Sequence, residues 1–538
     1  MDISKIYGDL KVLPTEILIK IFTLVGNRYY LSLVNSEFYD IVCKIEENKF
    51  QLKLIDIDDD EEKFKSIINS RRVFDEVKLM DIRSNENHVT DRMREIFTKY
   101  GNDIKKINFY NSKLPESQFI DILSMNKHLQ TLILYDVDFS ITEKENVELM
   151  LPELKTLKTY LCNFIIPRII FRFPKDTLEH LSINNCILDQ QTFGRILQNQ
   201  QRIKQLEIDP YNVDPAQMSE LKLEKLKLLS KRHVKQILQS QQQLITLDLE
   251  RAHIGDSEFM DICKMTQLKS LRLWIDRISW EKLDNLMKLN KLEELALTYD
   301  RLEVEYVTML SKVPLISITT LKIEFPKLKM LTESFIAISI NCPNIKTLVI
   351  NGQSIGVIGT IVQYFKNLET LNFECDSDSV KVVNFPITDI YNEKLKRLRI
   401  FDNQFNNPAR EQFQSQLTLI CLIMQSMPNL EQLELVNTIS LELDDLANIL
   451  ACNRKLSQFR IEDISINLKF DKMMADMIKR CNGNLNYFEF NKIAVEIDEN
   501  SLRQIMDNKF AFINCRDWKN QVILRNCQWS PIENEIDI

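Results

Sequence analysis

The residue types that usually carry metal binding and redox chemistry are present in this sequence, but their spacing suits neither. Zinc sites and redox centres commonly use residues close together in the chain, as in H-x-x-x-H or C-x-x-C pairs. None of the eleven cysteines forms a C-x-x-C pair. No H-x-x-x-H pair occurs among the five histidines, which are His88, His128, His180, His233 and His253. The sequence therefore predicts no metal site.

Two further segments have part of a ligand-binding loop and lack a required residue. The glycines of Gly352–Gly359 lack the Lys-Ser/Thr pair that a phosphate-binding loop needs. The acidic run 56–62 has Glu61 where a calcium loop needs its sixth-position glycine, and Ile67 at the twelfth position. The sequence also nominates no base for a cysteine nucleophile. We therefore expect a protein that is not an enzyme and has no cofactor.

Three tyrosines, in contrast, recur at a fixed interval. Tyr110, Tyr135 and Tyr160 lie 25 residues apart. Such an interval indicates equivalent positions of a repeating unit, and stacked units would bring the rings into one ladder. Tyrosine offers a large rigid surface with a polar tip and is a frequent binding hot spot. We interpret the three tyrosines as candidate binding residues.

The repeating unit is a short pattern, apolar-x-x-apolar-x-apolar, found between Phe74 and Phe490. Clear copies are Leu268-Lys-Ser-Leu271-Arg-Leu273 and Leu292-Glu-Glu-Leu295-Ala-Leu297. The seventeen copies begin at residues 74, 104, 129, 154, 178, 203, 223, 244, 268, 292, 318, 345, 368, 395, 430, 456 and 485. The mean step is 411/16, about 26 residues, which is typical of leucine-rich repeats.

Each unit alternates between a strand and a helix. The x-x-L-x-L portion has the period of a strand with its leucines inward, and ten to fifteen residues of helical spacing follow. This predicts an α/β fold, a curved leucine-rich-repeat solenoid with parallel strands on the concave wall and helices on the convex one. We expect an acidic linker and helix over 55–73, about 17 repeats over 74–512, and a C-terminal cap with an acidic tail over 513–538. The glutamine-rich stretches 198–201 and 239–243 are interpreted as exposed helix ends.

Charge and hydropathy exclude several classes of partner. The formal net charge of −8, with 27% charged residues of mixed sign, lacks the basic field that nucleic-acid binding needs. No apolar run is long enough to cross a bilayer, and the first residues lack the features of a signal peptide. We therefore expect neither nucleic acid nor membrane as a partner, free thiols, and a cytoplasmic or nuclear location.

The first 73 residues do not follow the repeat, and those up to residue 54 have helical spacing instead. One helix follows Leu13-Pro14, a second runs from about Tyr30, and a third spans about 46–54. They resemble the F-box, a three-helix module that opens L-P-x-E-[IL]-[IL]-x-x-I-F. The matching residues are Leu13, Pro14, Glu16, Ile17, Leu18, Ile21 and Phe22, then Val34, Asn35, Ser36 and Phe38. With repeats after an F-box-like module at 8–54, the whole chain is similar to the F-box/leucine-rich-repeat family.

That resemblance implies a substrate-recognition adaptor of an SCF (Skp–cullin–F-box) E3 ubiquitin ligase. It implies that the F-box-like module binds a Skp-family adaptor, and through it a cullin, while the repeats bind an unknown protein substrate. The residues that would contact the adaptor are Leu13, Pro14, Ile17, Leu18, Ile21, Phe22, Val34 and Phe38.

Outward positions of the repeats supply further candidates for substrate binding. Besides the three tyrosines, they include an acidic group and a group of basic and aromatic residues. The acidic residues are Glu207, Asp209, Asp248, Glu250 and Glu294, and the others are Arg272, Trp274, Arg397, Arg399 and Phe401. The acidic group would attract a basic segment of a partner.

Two other interpretations stay open. The N-terminal helices would only cap the solenoid in a leucine-rich-repeat scaffold that is unconnected with ubiquitin. Alternatively, a small-molecule sensor similar to the plant hormone-receptor branch of the same family would need clustered basic residues. The candidates for that cluster are Lys106, Lys158, Lys225 and Lys227.

Overall fold

The computed structural model describes residues 50–462, with gaps at 56–60, 71–72, 83–86, 141–148, 163–172, 187–189, 210–213, 276, 300–309, 325–329, 331, 354–356, 376–390, 403–423, 437–452 and 454. It also describes segments 467–470, 487–491, 494–497, 512–513 and 521–525. The helices predicted before residue 50, and most of the F-box-like module, therefore lie outside the described residues. What is described forms two compact units, one ending at Leu268 and the other beginning at Lys269.

The first unit is a parallel sheet with a layer of helices. Its strands are β1 (Phe50–Ile55), β2 (Phe74–Met80), β3 (Lys106–Pro115), β4 (Thr131–Ser140), β5 (Thr156–Tyr160), β6 (His180–Asn184), β7 (Gln205–Ile208), β8 (Lys225–Leu228) and β9 (Thr246–Leu249). Its helices are α1 (Glu61–Asn69), α2 (Asn87–Tyr100), α3 (Glu116–Ser124), α4 (Gln190–Asn199), α5 (Pro215–Met218), α6 (Val234–Ser240) and α7 (Asp256–Ile262). Consecutive helices contact each other within α1–α3 and within α4–α7.

The second unit repeats this plan. Its parallel strands are β10 (Ser270–Trp274), β11 (Glu294–Thr298), β12 (Thr320–Glu324), β13 (Thr347–Gln353), β14 (Thr370–Cys375), β15 (Arg397–Asp402), β16 (Gln432–Val436), β17 (Gln458–Glu462) and β19 (Tyr487–Asn491). Its helices are a 3₁₀ helix (Trp280–Lys288), α8 (Thr332–Asn341) and α9 (Val357–Tyr364). Strands β18 (Asn467–Phe470) and β20 (Ala494–Ile497) pair separately, whereas β21 (Phe512–Ile513) and β22 (Gln521–Arg525) add antiparallel pairing at β19.

The repeated leucines form the core of both units. Every copy of the sequence pattern contains a strand, and equivalent leucines pair in register, as Leu271 does with Leu295 and Leu295 with Leu321. Leu271 and Leu273 are 0% exposed. Burying one such side chain contributes about 1.5–3 kcal/mol, so the leucines of neighbouring repeats stabilise one another. The predicted leucine-rich-repeat fold is confirmed.

The sheet of the first unit begins earlier than predicted. The helix expected over about 46–54 is wrong for residues 50–54, because Phe50–Ile55 forms β1 and pairs in parallel with β2. Leu52 and Leu54 alternate with polar residues and are buried, so this segment satisfies the strand period. A helix is confirmed within the range 55–73, where α1 spans Glu61–Asn69.

Two glutamines that the sequence predicted to be exposed are buried instead. Gln200 and Gln241 are both 0% exposed. Gln242, which directly follows Gln241, lies at the surface as expected. The Gln200 side-chain oxygen accepts hydrogen bonds from two backbone N–H groups, and the amide of Gln241 donates to the Met218 carbonyl at 2.7 Å. A buried amide is stable here because these backbone groups satisfy it. Among the described helices, none is both long and apolar enough to cross a membrane.

Candidate binding surface on the strand face

The three tyrosines occupy one row on the outward face of the first unit. Tyr110 pairs in register with Tyr135, and Tyr135 with Tyr160. Both steps have ring centroids 6.0 Å apart and ring planes at 36°. We call these three residues the tyrosine ladder. The structure thus brings together the residues that the 25-residue interval singled out, and their binding role stays a prediction.

A recurring backbone turn positions the ladder. The residues directly after the tyrosines, Asn111, Asp136 and Leu161, have φ values of 44°, 53° and 55°. Asparagine and aspartate tolerate this left-handed conformation, whereas a leucine there is strained. Leu161 is held by a hydrogen bond from its N–H to the Asn184 carbonyl, at 3.1 Å.

The ladder presents apolar surface to solvent. Tyr135 is 45% exposed and Leu161 is 48% exposed, while Tyr110 and Tyr160 are half-buried. Lys158 lies on β5 beside this surface and is half-buried. Aromatic and aliphatic groups that are half in water gain from being covered by a partner, so this area is suited to protein contact.

A chain of polar contacts leads from the ladder to the predicted acidic group. The Ser182 hydroxyl oxygen lies 3.4 Å from the Tyr160 hydroxyl and donates to the Glu207 carboxylate at 3.0 Å. Lys227, on the next strand, lies 3.1 Å from Glu207 and 4.0 Å from Asp248. Burial alone would raise the pKa of Glu207. The Lys227 ammonium and the hydrogen bonds outweigh it, so this pKa lies below its ordinary value.

The acidic group is thus partly neutralised. Lys227 stands between Glu207 and Asp248, and the Asp248 carboxylate also accepts from the Glu250 backbone N–H at 3.1 Å. Asp209 directly follows β7 and is half-buried, and Glu250 directly follows β9. Glu294 belongs to β11 of the second unit.

One histidine on this face titrates abnormally. His180 lies on β6 and is half-buried. Burial, together with the positive charges of Lys158 and Lys225, lowers the pKa of His180 to about 4, although Glu207 opposes the shift. His180 is therefore neutral at physiological pH.

The candidates of the second unit do not form one group, since Arg272 and Trp274 lie on β10, Glu294 lies on β11, and the others lie on β15. Trp274 lies on β10 and is half-buried, whereas Arg399 and Phe401 lie on β15. Five strand steps separate β10 from β15, which corresponds to about 24 Å. The sequence placed Trp274, Arg397 and Arg399 in one series, but these three residues do not form one cluster.

Arg399 is part of an ion-pair chain that the sequence did not indicate. Its guanidinium lies 3.4 Å from the Glu434 carboxylate, and the Arg460 guanidinium lies 3.1 Å from the same group. Arg397 is exposed one position before the buried Leu398, and Phe401 is half-buried beside Val436. The two guanidiniums therefore share one carboxylate, and the binding role of the basic and aromatic residues stays a prediction.

Two carboxylates on the same face, those of Glu324 and Glu374, were also not predicted from the sequence. Glu324 accepts from Thr298 at 3.0 Å and from Asn351 at 3.2 Å, and pairs with Lys322 at 2.8 Å. Burial, and then the charge of Glu324, raises the pKa of Glu374. Glu324 and Glu374 occupy the seventh position of the repeat, as the tyrosines do. That shared position is the sequence signal that would have identified them.

Two of the four lysines considered for a small-molecule site are paired with carboxylates. Lys106 lies 3.1 Å from Glu76, and Lys227 is bound to Glu207. Within the described part of the chain, no group of three or more potential ligands could hold a metal ion. The predicted adaptor contacts fall outside the described residues and are Leu13, Pro14, Ile17, Leu18, Ile21, Phe22, Val34 and Phe38.

No protein-family model and no curated protein matches the chain. Among solved structures, an internalin from Listeria monocytogenes is 14% identical over 71% of this chain and 95% of its own, with a TM-score of 0.36. The PEPR1–AtPEP1 structure is 14% identical over 74% of this chain and 57% of its own, with a TM-score of 0.29. The repeat geometry of the chain itself defines the class: it is a leucine-rich-repeat protein.

Proposed function

We propose that this chain is a protein-binding scaffold that captures a partner on its strand face, with the tyrosine ladder as the main contact. The observation that carries the proposal is the pair of equal 6.0 Å steps between three partly exposed rings. Alternate side chains of an extended peptide are spaced about 6.6 Å apart and lie on one side of it. An extended segment crossing the strands would therefore place successive side chains beside successive rings.

We propose, more specifically, that the scaffold is the substrate-recognition adaptor of an SCF E3 ubiquitin ligase in the cytoplasm or nucleus. The support is the Leu13-Pro14…Ile21-Phe22 opening and the Val34–Phe38 element, followed by repeats. The partners would be a Skp-family adaptor, a cullin bound through it, and a protein substrate. The alternative is a scaffold of the same fold that never meets a Skp adaptor.

Co-purification with a Skp-family adaptor and a cullin tests the specific proposal. We expect the Ile21→Ala/Phe22→Ala variant to lose the adaptor, because truncating a central apolar anchor commonly costs about 2 kcal/mol, roughly thirty-fold in affinity. A matched control is Tyr135→Ala, which should retain the adaptor. Circular dichroism would verify that both variants fold.

The outcome separates the two functions. Adaptor binding that is unchanged in the double variant, or absent from the wild type, would refute the SCF role. Partner capture that still depended on the tyrosine ladder would then favour the alternative scaffold.

A further inference from the structure

Two cysteines occupy equivalent positions in neighbouring repeats of the first unit. Cys162 and Cys186 each stand two residues beyond a register pair, Tyr160 on β5 and Asn184 on β6. Each cysteine also follows a left-handed residue, since Leu161 has a φ of 55° and Asn185 a φ of 52°. The backbone therefore turns in the same way after β5 and after β6. This places the two cysteines in neighbouring positions.

The sulfur atoms are held in similar surroundings. Cys162 Sγ lies 3.3 Å from the Tyr160 carbonyl oxygen, and Cys186 Sγ lies 3.3 Å from the Asn184 carbonyl oxygen. Cys186 Sγ also lies 3.5 Å from the Thr159 hydroxyl oxygen. Cys162 is buried and Cys186 is half-buried, so Cys186 is the more accessible to a small oxidant.

We propose that Cys162 and Cys186 form a reversible disulfide when the protein meets a peroxide. Adjacent parallel strands are about 4.8 Å apart, and the Cα atoms of disulfides are usually about 4.4–6.8 Å apart. The two cysteines hold equivalent positions after adjacent strands and follow the same backbone turn, so their geometry suits the bond. In a reducing compartment such a bond would be transient, which is typical of redox-responsive thiols.

The two cysteines would have different roles. The neighbouring Cys162 thiol lowers the pKa of Cys186 to about 6, against the effect of burial. The neighbouring Cys186 thiol, together with burial, raises the pKa of Cys162. Cys186 is also the more accessible of the two, so it is the thiolate that attacks, and Cys162 is the thiol that resolves the product.

The reaction balances with hydrogen peroxide as the oxidant. The Cys186 thiolate attacks one peroxide oxygen, an S–O bond forms, the O–O bond breaks, and hydroxide leaves and takes up a proton to become water. Cys162 then loses its proton to solvent and attacks the Cys186 sulfur. The S–S bond forms as the S–O bond breaks, and the second hydroxide also leaves as water. Two thiols are oxidised by two electrons in total, and one peroxide is reduced to two waters.

Peptide mapping of the full-length protein tests the proposal directly. Trypsin would release Cys162 within Thr159–Arg168 and Cys186 within Asp176–Arg195, and each peptide contains one cysteine. After brief treatment with hydrogen peroxide and alkylation of the remaining thiols, we expect these two peptides to be recovered cross-linked. Dithiothreitol should separate them. Cys342 is an internal reference, since burial raises its pKa to about 11 and should keep it reduced and slow to react.

Two variants distinguish a specific disulfide from general oxidation. In Cys162→Ser, Cys186 should stop at the sulfenic acid and be labelled by dimedone. In Cys186→Ser, Cys162 should stay reduced under the same treatment. Recovery of Cys186 in a disulfide with any other cysteine would overturn the proposal. So would oxidation of Cys342 as fast as that of Cys186 in the wild-type protein, a result that requires no variant to fold.

Discussion

The Lys227 ammonium lies 3.1 Å from the Glu207 carboxylate on the neighbouring strand, and this contact changes the character of the surface beside the tyrosine ladder. The sequence favoured an acidic area that attracts basic segments. The contact, together with the 4.0 Å approach of Lys227 to Asp248, makes it an alternation of charges instead. Long-range attraction is weaker for such an alternation, because opposite charges cancel at a distance.

Replacing Lys227 should leave the Glu207 carboxylate without its cation and so reduce the stability of the protein. We expect Lys227→Met to lower the free energy of unfolding at neutral pH by at most about 1 kcal/mol, since Lys227 is partly exposed. Glu207 has a lowered pKa, so the difference should be present above the ordinary glutamate pKa. It should vanish as pH falls through the pKa that Glu207 has in the folded protein. Urea unfolding at several pH values measures it, with Lys225→Met as control. Equal effects of the two substitutions would contradict the pairing.

Truncating the tyrosine ladder should weaken partner capture. We expect Tyr110→Ala, Tyr135→Ala and Tyr160→Ala each to reduce binding by roughly ten- to thirty-fold, because each ring contributes apolar contact area. The losses should not add, since neighbouring rings would contact one peptide segment. The exposed Tyr391 lies outside the ladder, so Tyr391→Ala is the matched control. Proximity labelling with the wild type and the triple variant gives the readout, and identical partner lists would rule out the ladder as the binding surface.

Leu161 should lower the stability of the protein while it contributes to partner binding. Its φ of 55° is costly for leucine, and asparagine tolerates that conformation. Leu161→Asn should therefore raise the free energy of unfolding by about 1 kcal/mol relative to Leu161→Ala, which keeps the strain. Both variants should capture less partner if the exposed leucine contacts it. Thermal unfolding compares them, and an asparagine variant no more stable than the alanine variant would show that the backbone is not strained.

His180 should make the protein less stable in mild acid. Its pKa of about 4 lies below the ordinary histidine value of about 6.5, so the unfolded chain binds more protons between these pH values. The stability of the wild type relative to His180→Gln should therefore rise from about pH 4 to about pH 6.5 and then level off. Lys158, Lys225 and Glu207 are the charged neighbours, so those residues stay unchanged in the test. Urea unfolding at several pH values measures this difference in stability. His128 is exposed, so the same pH dependence for His128→Gln would show that burial of His180 is not the cause.

Sequence alone determined the repeating elements of this protein. Each copy of the apolar pattern has the period of a strand and contains its own inward leucines, so Leu271 and its equivalents identify their strands locally. The 25-residue interval of the tyrosines likewise sufficed to predict their row, because equal intervals bring equal positions together in a stack. The candidate residues Arg397 and Arg399 were located on a strand in the same way.

Tertiary structure decided the features that depend on how one repeat meets the next. Segment 50–55 became a strand because β2 offers it a parallel partner. Gln200 and Gln241 are buried because backbone groups of the preceding repeats face their amides. The Lys227 ion pair joins adjacent strands, and the neighbouring positions of the two cysteines likewise follow from the pairing of adjacent strands. Such contacts join residues roughly 20–30 positions apart, so no local pattern reveals them. Their geometry is set only when the strands stack in register.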